Sequence, residues 1–426
     1  MTYPTEVTCD HTGTVFPVSL DELEAGGAAM LTRLFHSIGS LAPDNSVAAI
    51  TRWEEFFGGG MGRKVVFDVR YDKPTDRPTE LFAKFTREFG DPLRDLFSPV
   101  MDPEVRFALL SRRSEFPLNV PECMFAGYSA ADKTGLLITS RVPYGRGGVL
   151  HAMDKAVDYE HDDLLPVYEA QTRAIAALAA FHKSGRFEGE VEEAFPFDPS
   201  NEKLLQVIPF DRAQLDEKLA ILRDFADRAP QLLPDGLADS AFLDAFADGA
   251  RRVLGKERSI WQRIYSHDDA IALIHWNMNP DNAWFWRGDD GTMQSGQLDW
   301  GGVGQGNIAQ SYYGMYCAAE TGFIARHDAH LQSLLLAEYA AKGGPALDAS
   351  RFDEDVSLAI AVLGSAWMLD APSLLANEIP DFEKLEDRAD ARLRQLFIPR
   401  AQLQLMRVFL SEWRRKDIGA LIEKVG

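Results

Sequence analysis

Cysteine is scarce: Cys9, Cys123 and Cys317 are the only three in 426 residues. An odd number at wide spacing gives no disulfide framework and no metal-ligand spacing, and a reducing cytoplasm fits best. Basic residues are also few, 44 Lys and Arg against 65 Asp and Glu, for a formal net charge of −21. Such a surface repels phosphate backbones, which argues against a nucleic-acid partner; it serves solubility first and would attract a cationic ligand. No apolar run approaches the roughly 18–20 residues that would cross a bilayer, so no membrane span is expected. The opening MTYPTEVTCDHTG lacks the basic and apolar regions of a secretory signal. Internal repeats and low-complexity tracts are missing. So are the G-x-x-x-x-G-K-[ST] phosphate loop, the H-E-x-x-H zinc helix and the G-x-S-x-G nucleophile elbow.

The chain does hold a change of periodicity. In residues 64–71, Val65, Phe67, Val69 and Tyr71 alternate with Lys64, Asp68 and Arg70, which predicts a half-buried antiparallel strand. A second strand is expected at 80–86, after a Pro- and Asp-rich turn. An earlier one ends at Trp53–Phe57 and runs into Gly58, Gly59, Gly60, Met61 and Gly62. A helix is expected over 102–113, with Asp102 as N-cap and Pro103 at its first position. Two more strands follow at 124–128 and 136–140, and then a hinge-like Pro143-Tyr144-Gly145-Arg146-Gly147-Gly148. Helical patterns occupy 166–182, 212–228 and 236–265 and return after Gln310. Between them, IALIHW and GQLDW read as two short apolar strands around a polar loop. The expectation is an α+β chain in two parts. Residues 1–142 form a β-rich part with an N-terminal extension over 1–45, and residues 143–426 a larger helical part.

The most informative stretch is His275-Trp276-Asn277-Met278-Asn279-Pro280-Asp281-Asn282, followed by Gln297-Leu298-Asp299-Trp300-Gly301. It resembles the HxDxxxxN loop and the metal-binding IDW segment of the aminoglycoside phosphotransferase and choline kinase superfamily. The resemblance covers about 50–320 and implies a two-lobed protein-kinase-like fold. That fold has a small antiparallel β-sheet lobe and a larger helical lobe. It also implies ATP and Mg²⁺ as cofactors and a small-molecule hydroxyl as acceptor. By position, Asn282 and Asp299 fill the two metal places and His275 the structural histidine that props the loop. One carboxylate and one amide oxygen suit Mg²⁺, which takes hard oxygen ligands and completes its shell with phosphate and water.

Weaker marks lie in the first part. The glycines at 58–60 and Gly62 fall where the family places its phosphate-covering loop, although a plain hairpin turn reads as well. Lys84 stands among apolar residues on a strand and needs a partner. The resemblance makes it the α/β-phosphate lysine and Glu104 its helix partner. LLITSRVPYG at 136–145 is similar to the last strand and hinge, whose backbone would meet adenine. His182, at a helix end, resembles a structural histidine common in the family. The tryptophans around the loop, Trp276, Trp284 and Trp286, read as core packing.

One position departs. The family's catalytic aspartate is Asn277 here, and a carboxamide cannot take up the acceptor's proton. Three readings follow. Asn277 orients the acceptor while Asp281 or water takes the proton; or the chain is a kinase-like binder that has lost transfer; or the asparagine is a deliberate Asp→Asn change that traps a complex. The expected activity is therefore small-molecule phosphotransfer, with a catalytically silent nucleotide or metabolite binder as the alternative.

Overall fold

The computed structural model describes residues 3–56 and 62–425. It divides into two compact units. The first is Met1–Val149 with Glu193–Phe195 and Gly296–Gly304; the second is Leu150–Glu192, Pro196–Ser295 and Gln305–Gly426.

The first unit begins with a short hairpin, β1 (Glu6–Thr8) and β2 (Val15–Pro17), and a helix, α1 (Leu20–Ser37). Then come β3 (Val47–Phe56), β4 (Lys64–Tyr71), β5 (Glu80–Phe85), α2 (Arg94–Phe97), α3 (Met101–Leu110), β6 (Cys123–Ser129) and β7 (Thr134–Ser140). The last five strands make one antiparallel sheet in the order β3-β4-β5-β7-β6. One face packs on α1 through Phe16, Leu34, Phe35, Phe67 and Ile138. The other packs on α3 through Met101, Val105, Ala126 and Leu137. Residues 6–37 are thus part of this core.

Period-2 alternation decides where Lys84 goes. Leu81, Ala83 and Phe85 of β5 join the α1 side of the core, so Lys84 turns to the opposite face, where α3 lies. In β4 the alternation read from sequence is present, with Val65, Phe67, Val69 and Tyr71 buried. In α3 the expected cap is not: Val100 is the N-cap and makes no side-chain bond. The 3₁₀ turn Ser98–Val100 feeds straight into the helix, so Asp102 falls inside the first turn. There it binds His11 at 2.7 Å and Arg106 at 2.9 Å.

From residue 150 onward the chain is mainly helical. Its helices are α4 (Leu165–Lys183), α5 (Glu190–Ala194), α6 (Glu202–Leu205), α7 (Arg212–Arg228), α8 (Ser240–Tyr265), α9 (Ile308–Tyr316), α10 (Thr321–Ala341), α11 (Ala349–Trp367), α12 (Ala371–Glu378), α13 (Ala391–Arg394), α14 (Phe397–Arg415) and α15 (Ile418–Lys424). Four short strands interrupt them: β8 (Ile271–Ile274), β9 (Ala283–Arg287), β10 (Met293–Gln297) and β11 (Gly304–Asn307). β8 pairs with β11, and β9 with β10. This corrects the two-strand reading of the region. IALIHW is strand only to Ile274, GQLDW only to Gln297, and the stretch between them contributes a strand of its own. Ala349–Glu378 has the length and composition of a membrane span, against the expectation that no such run exists. In its most apolar window 72% is buried within the protein, as in a core helix.

Candidate functional site

In the first unit three ionisable groups meet. Lys84 Nζ donates to Glu104 Oε1 at 3.0 Å and Oε2 at 2.9 Å, and to Asp299 Oδ1 at 2.8 Å. Lys84 and Glu104 are both buried, whereas the Asp299 side chain is 49% exposed. Burial works against the Lys84 charge, but the two carboxylates outweigh it and hold the ammonium above its ordinary value. For Glu104 burial comes first too: it raises the carboxyl, Lys84 opposes that, and Asp299 adds to it. Lys64 lies opposite Lys84 across the β4–β5 ladder; burial and then the Lys84 charge depress it.

Asp299 is placed by its neighbours. It has φ +60°, a left-handed conformation that aspartate tolerates better than most residues. Directly after it, Trp300 stacks on Phe107 of α3 with centroids 3.6 Å apart. Before it, Gln297 N–H donates to the Asn119 carbonyl at 2.9 Å. The helix that carries Glu104 thus also anchors the segment that carries Asp299. Gly58, Gly59 and Gly60 lie outside the described residues. Gly62 is described and has a packing reason: a Cβ there would fall 2.1 Å from the Thr86 carbonyl oxygen.

In the second unit the stretch 275–282 forms a hydrogen-bonded loop after β8. Buried His275 accepts the Asn277 backbone N–H at Nδ1, 3.2 Å, and its own carbonyl accepts Ser311 Oγ at 2.7 Å. Asn277 Oδ1 accepts from Asn279 Nδ2 at 2.7 Å and from Lys155 Nζ at 3.4 Å. Asn282 Nδ2 donates to the Asn277 carbonyl at 2.9 Å, which turns Asn282 Oδ1 the other way. Asp281 Oδ1 is 3.6 Å from Lys155 Nζ. Behind the loop, His182 Nδ1 accepts Leu273 N–H at 2.9 Å and Nε2 faces Glu192 at 2.9 Å. Burial lowers its pKa, which keeps the ring neutral and suits a structural brace.

Trp276 corrects the core-packing reading: it is 50% exposed. Helix α9 approaches the loop so closely that a Cβ on Gly314 would lie 1.8 Å from the Trp276 carbonyl. That approach pins the backbone and leaves the indole outside.

Sequence reasoning missed Lys155, Asp158 and Tyr168. Lys155 and Asp158 precede α4 in a segment with no periodic signal, and their contacts with the loop and with α4 exist only in three dimensions. Tyr168 Oη donates to Asp158 Oδ2 at 2.6 Å. Burial pushes the Asp158 carboxyl up to about 6 from 3.8; Tyr168, Arg388 and His161 oppose it and Asp281 reinforces it. A carboxyl raised in the folded state stabilises the fold in its protonated form. That contribution is complete below 3.8 and disappears as pH rises through 6. A rise from 3.8 to about 6 corresponds to about 3 kcal/mol. Asp158→Asn is expected to keep the acceptor for Tyr168, remove the Asp158 share of the stability change between pH 4 and 6, and raise stability at pH 7. Denaturant midpoints across that range check it; an unchanged slope would assign it to another group.

Among the described residues no group of three or more His, Cys, Asp or Glu could hold a metal ion alone. The Asp299 carboxylate and the Asn282 amide each present a hard oxygen of the kind Mg²⁺ takes. They belong to different units.

No family model and no curated protein matches the chain. Solved structures similar to it include an ethanolamine kinase from Plasmodium vivax, at 9% identity and TM-score 0.44, covering 84% of this chain and 83% of that one. A choline kinase from Cryptosporidium parvum has 10% identity and TM-score 0.42, covering 88% and 93%. A choline/ethanolamine kinase family protein from Mesorhizobium loti has 16% identity and TM-score 0.38, covering 91% and 98%.

Proposed function

We propose that this chain is an ATP- and Mg²⁺-dependent phosphotransferase acting on a hydroxyl of a small molecule. The observation that carries the reading is the buried Lys84 ammonium held charged by Glu104 and Asp299. One ammonium against two carboxylates leaves an excess of negative charge with Asp299 half-exposed, an arrangement suited to a divalent cation and, through it, to phosphate oxygens. In this reading Lys84 binds the α- and β-phosphates and Glu104 fixes its position. Asp299 would supply a carboxylate oxygen and Asn282 an amide oxygen to Mg²⁺, and the ion when bound would neutralise charge on the phosphate oxygens.

His275 props the loop, and Asn277 orients the reactants without acting as base. The acceptor oxygen attacks the γ-phosphorus. The bond from that phosphorus to the β,γ-bridging oxygen breaks, and its electron pair leaves with ADP. The acceptor's proton passes to the Asp281 carboxylate or to water. Phosphoryl transfer depends mostly on positioning and charge neutralisation, so a missing base slows it without abolishing it.

One observation favours a second reading, a nucleotide or metabolite binder without transfer: an amide stands at position 277. Incubation with Mg-ATP and a panel of alcohols tests the two. The first reading expects ADP above the solvent background with at least one alcohol. Tight nucleotide binding with no alcohol-dependent ADP, here and in Asn277→Asp, would establish the second.

A further inference from the structure

At position 277 the loop of the second unit offers a ligand a donor rather than an acceptor. An amide oxygen has two lone pairs. Those of Asn277 Oδ1 are engaged by Asn279 Nδ2 at 2.7 Å and Lys155 Nζ at 3.4 Å. The network fixes the amide's orientation, because an ammonium can only donate and must face the oxygen. Asn279 cannot turn away either, since the same Nδ2 donates to the Gly314 carbonyl at 2.7 Å. Asn277 therefore turns Nδ2 toward any ligand. It can donate to that ligand but cannot accept a hydroxyl proton, the reverse of a carboxylate in the same place.

Lys155 completes the polarity. Its side chain is 12% exposed, and its carbonyl accepts Arg400 Nε from α14 at 3.1 Å. The ammonium is thus held beside the loop from a separate part of the chain. Asp281 lies 3.6 Å away, a looser contact than the 2.8–3.0 Å that bind Lys84. An amide N–H and an ammonium side by side suit an anion whose charge is spread over several oxygens.

We propose that Lys155 is a catalytic residue that donates from Nζ to a non-bridging oxygen of the phosphoryl group in transfer, with Asn277 Nδ2 as a second donor. The proposal rests on the phosphotransferase reading above. The loop then stabilises the moving phosphoryl group, and the acceptor's proton goes to Asp281 as the new P–O bond forms and the bond to ADP breaks. Loss of a carboxylate at 277 leaves the Lys155 charge for the phosphoryl oxygens.

Calorimetric titration with Mg-ADP, alone and with aluminium fluoride as a mimic of the phosphoryl group in flight, tests this on the full chain. Aluminium fluoride should tighten Mg-ADP binding to the native chain. Lys155→Met should lose about tenfold or more of that gain, as expected for one hydrogen bond to a charged group, with Mg-ADP alone changed less than about twofold. Lys155→Arg should restore most of it. Lys155→Met/Asp281→Asn, which leaves no carboxylate unpartnered, should behave like Lys155→Met and guards against misfolding, with circular dichroism as the check. An undiminished gain in Lys155→Met, equal losses for both ligands, or no gain in a native chain that binds Mg-ADP would overturn the proposal. A native chain that binds no nucleotide would overturn the phosphotransferase reading itself.

Discussion

Asn277→Asp is expected to raise alcohol-dependent ADP formation by about tenfold or more: a positioned general base usually contributes about 10²-fold, and loss of the Nδ2 donor to the phosphoryl group takes back about tenfold. The substitution changes one amide nitrogen to oxygen and nothing in shape. Oδ1 keeps its two donors, Asn279 Nδ2 and Lys155 Nζ, and both favour an ionised carboxylate. The second oxygen then stands where Nδ2 stood and can accept the hydroxyl hydrogen. The loop backbone should not move, because the bonds from Asn277 N–H to His275 and from Asn282 to the Asn277 carbonyl use main-chain atoms. Steady-state turnover at saturating Mg-ATP measures the effect. Equal rates in the two chains would place proton removal somewhere other than residue 277, with Asp281 the nearest candidate on the loop.

How much of this was legible in sequence follows from how local each signal is. The β4 strand could be read because only one of its faces is fully buried, so the alternation survives in the residues. In β7, residues Thr134–Thr139 are all buried, between α1 and α3; there is no alternation, and the strand expected at 136–140 is read from its apolar run instead. Lys84 announced itself because a charge among Leu, Phe and Ala on a strand requires a counter-charge. Its partner Glu104, 20 residues on, sits on a recognisable helix. Lys155 gave no such warning: its partner Asn277 is 122 residues away, and its neighbours in sequence are unremarkable. Asp299 was legible as a residue but not in its conformation. GQLDW has strand composition, yet the ladder ends at Gln297 and the aspartate takes positive φ. The Trp300–Phe107 stack and the bond from Gln297 N–H to the Asn119 carbonyl fix that turn, and both depend on tertiary packing.

Asp299→Ala is expected to abolish magnesium-dependent nucleotide binding while leaving the fold intact, and the reason lies in how the charge of Lys84 is shared. Removing one partner of a buried pair usually costs about 3–5 kcal/mol, because a charge is left uncompensated. Lys84→Met would do that to Glu104, whose carboxylate is buried and already raised by burial. Lost binding in that variant could therefore reflect lost packing. Asp299→Ala leaves Lys84 with both bonds to Glu104, at 2.9 and 3.0 Å. The group it removes is half in solvent, where an ion pair contributes at most about 1 kcal/mol. Alanine must adopt the positive φ of residue 299, a strain of about 1–3 kcal/mol; Asp299→Gly, free of that strain, is the control. Titration with ATP in the presence of Mg²⁺ and of EDTA separates the metal-dependent part. Loss of that part alone in both variants, at an unchanged thermal midpoint in Asp299→Gly, is the expected result. Affinity that stays the same would remove Asp299 from any metal site and take the phosphotransferase reading with it.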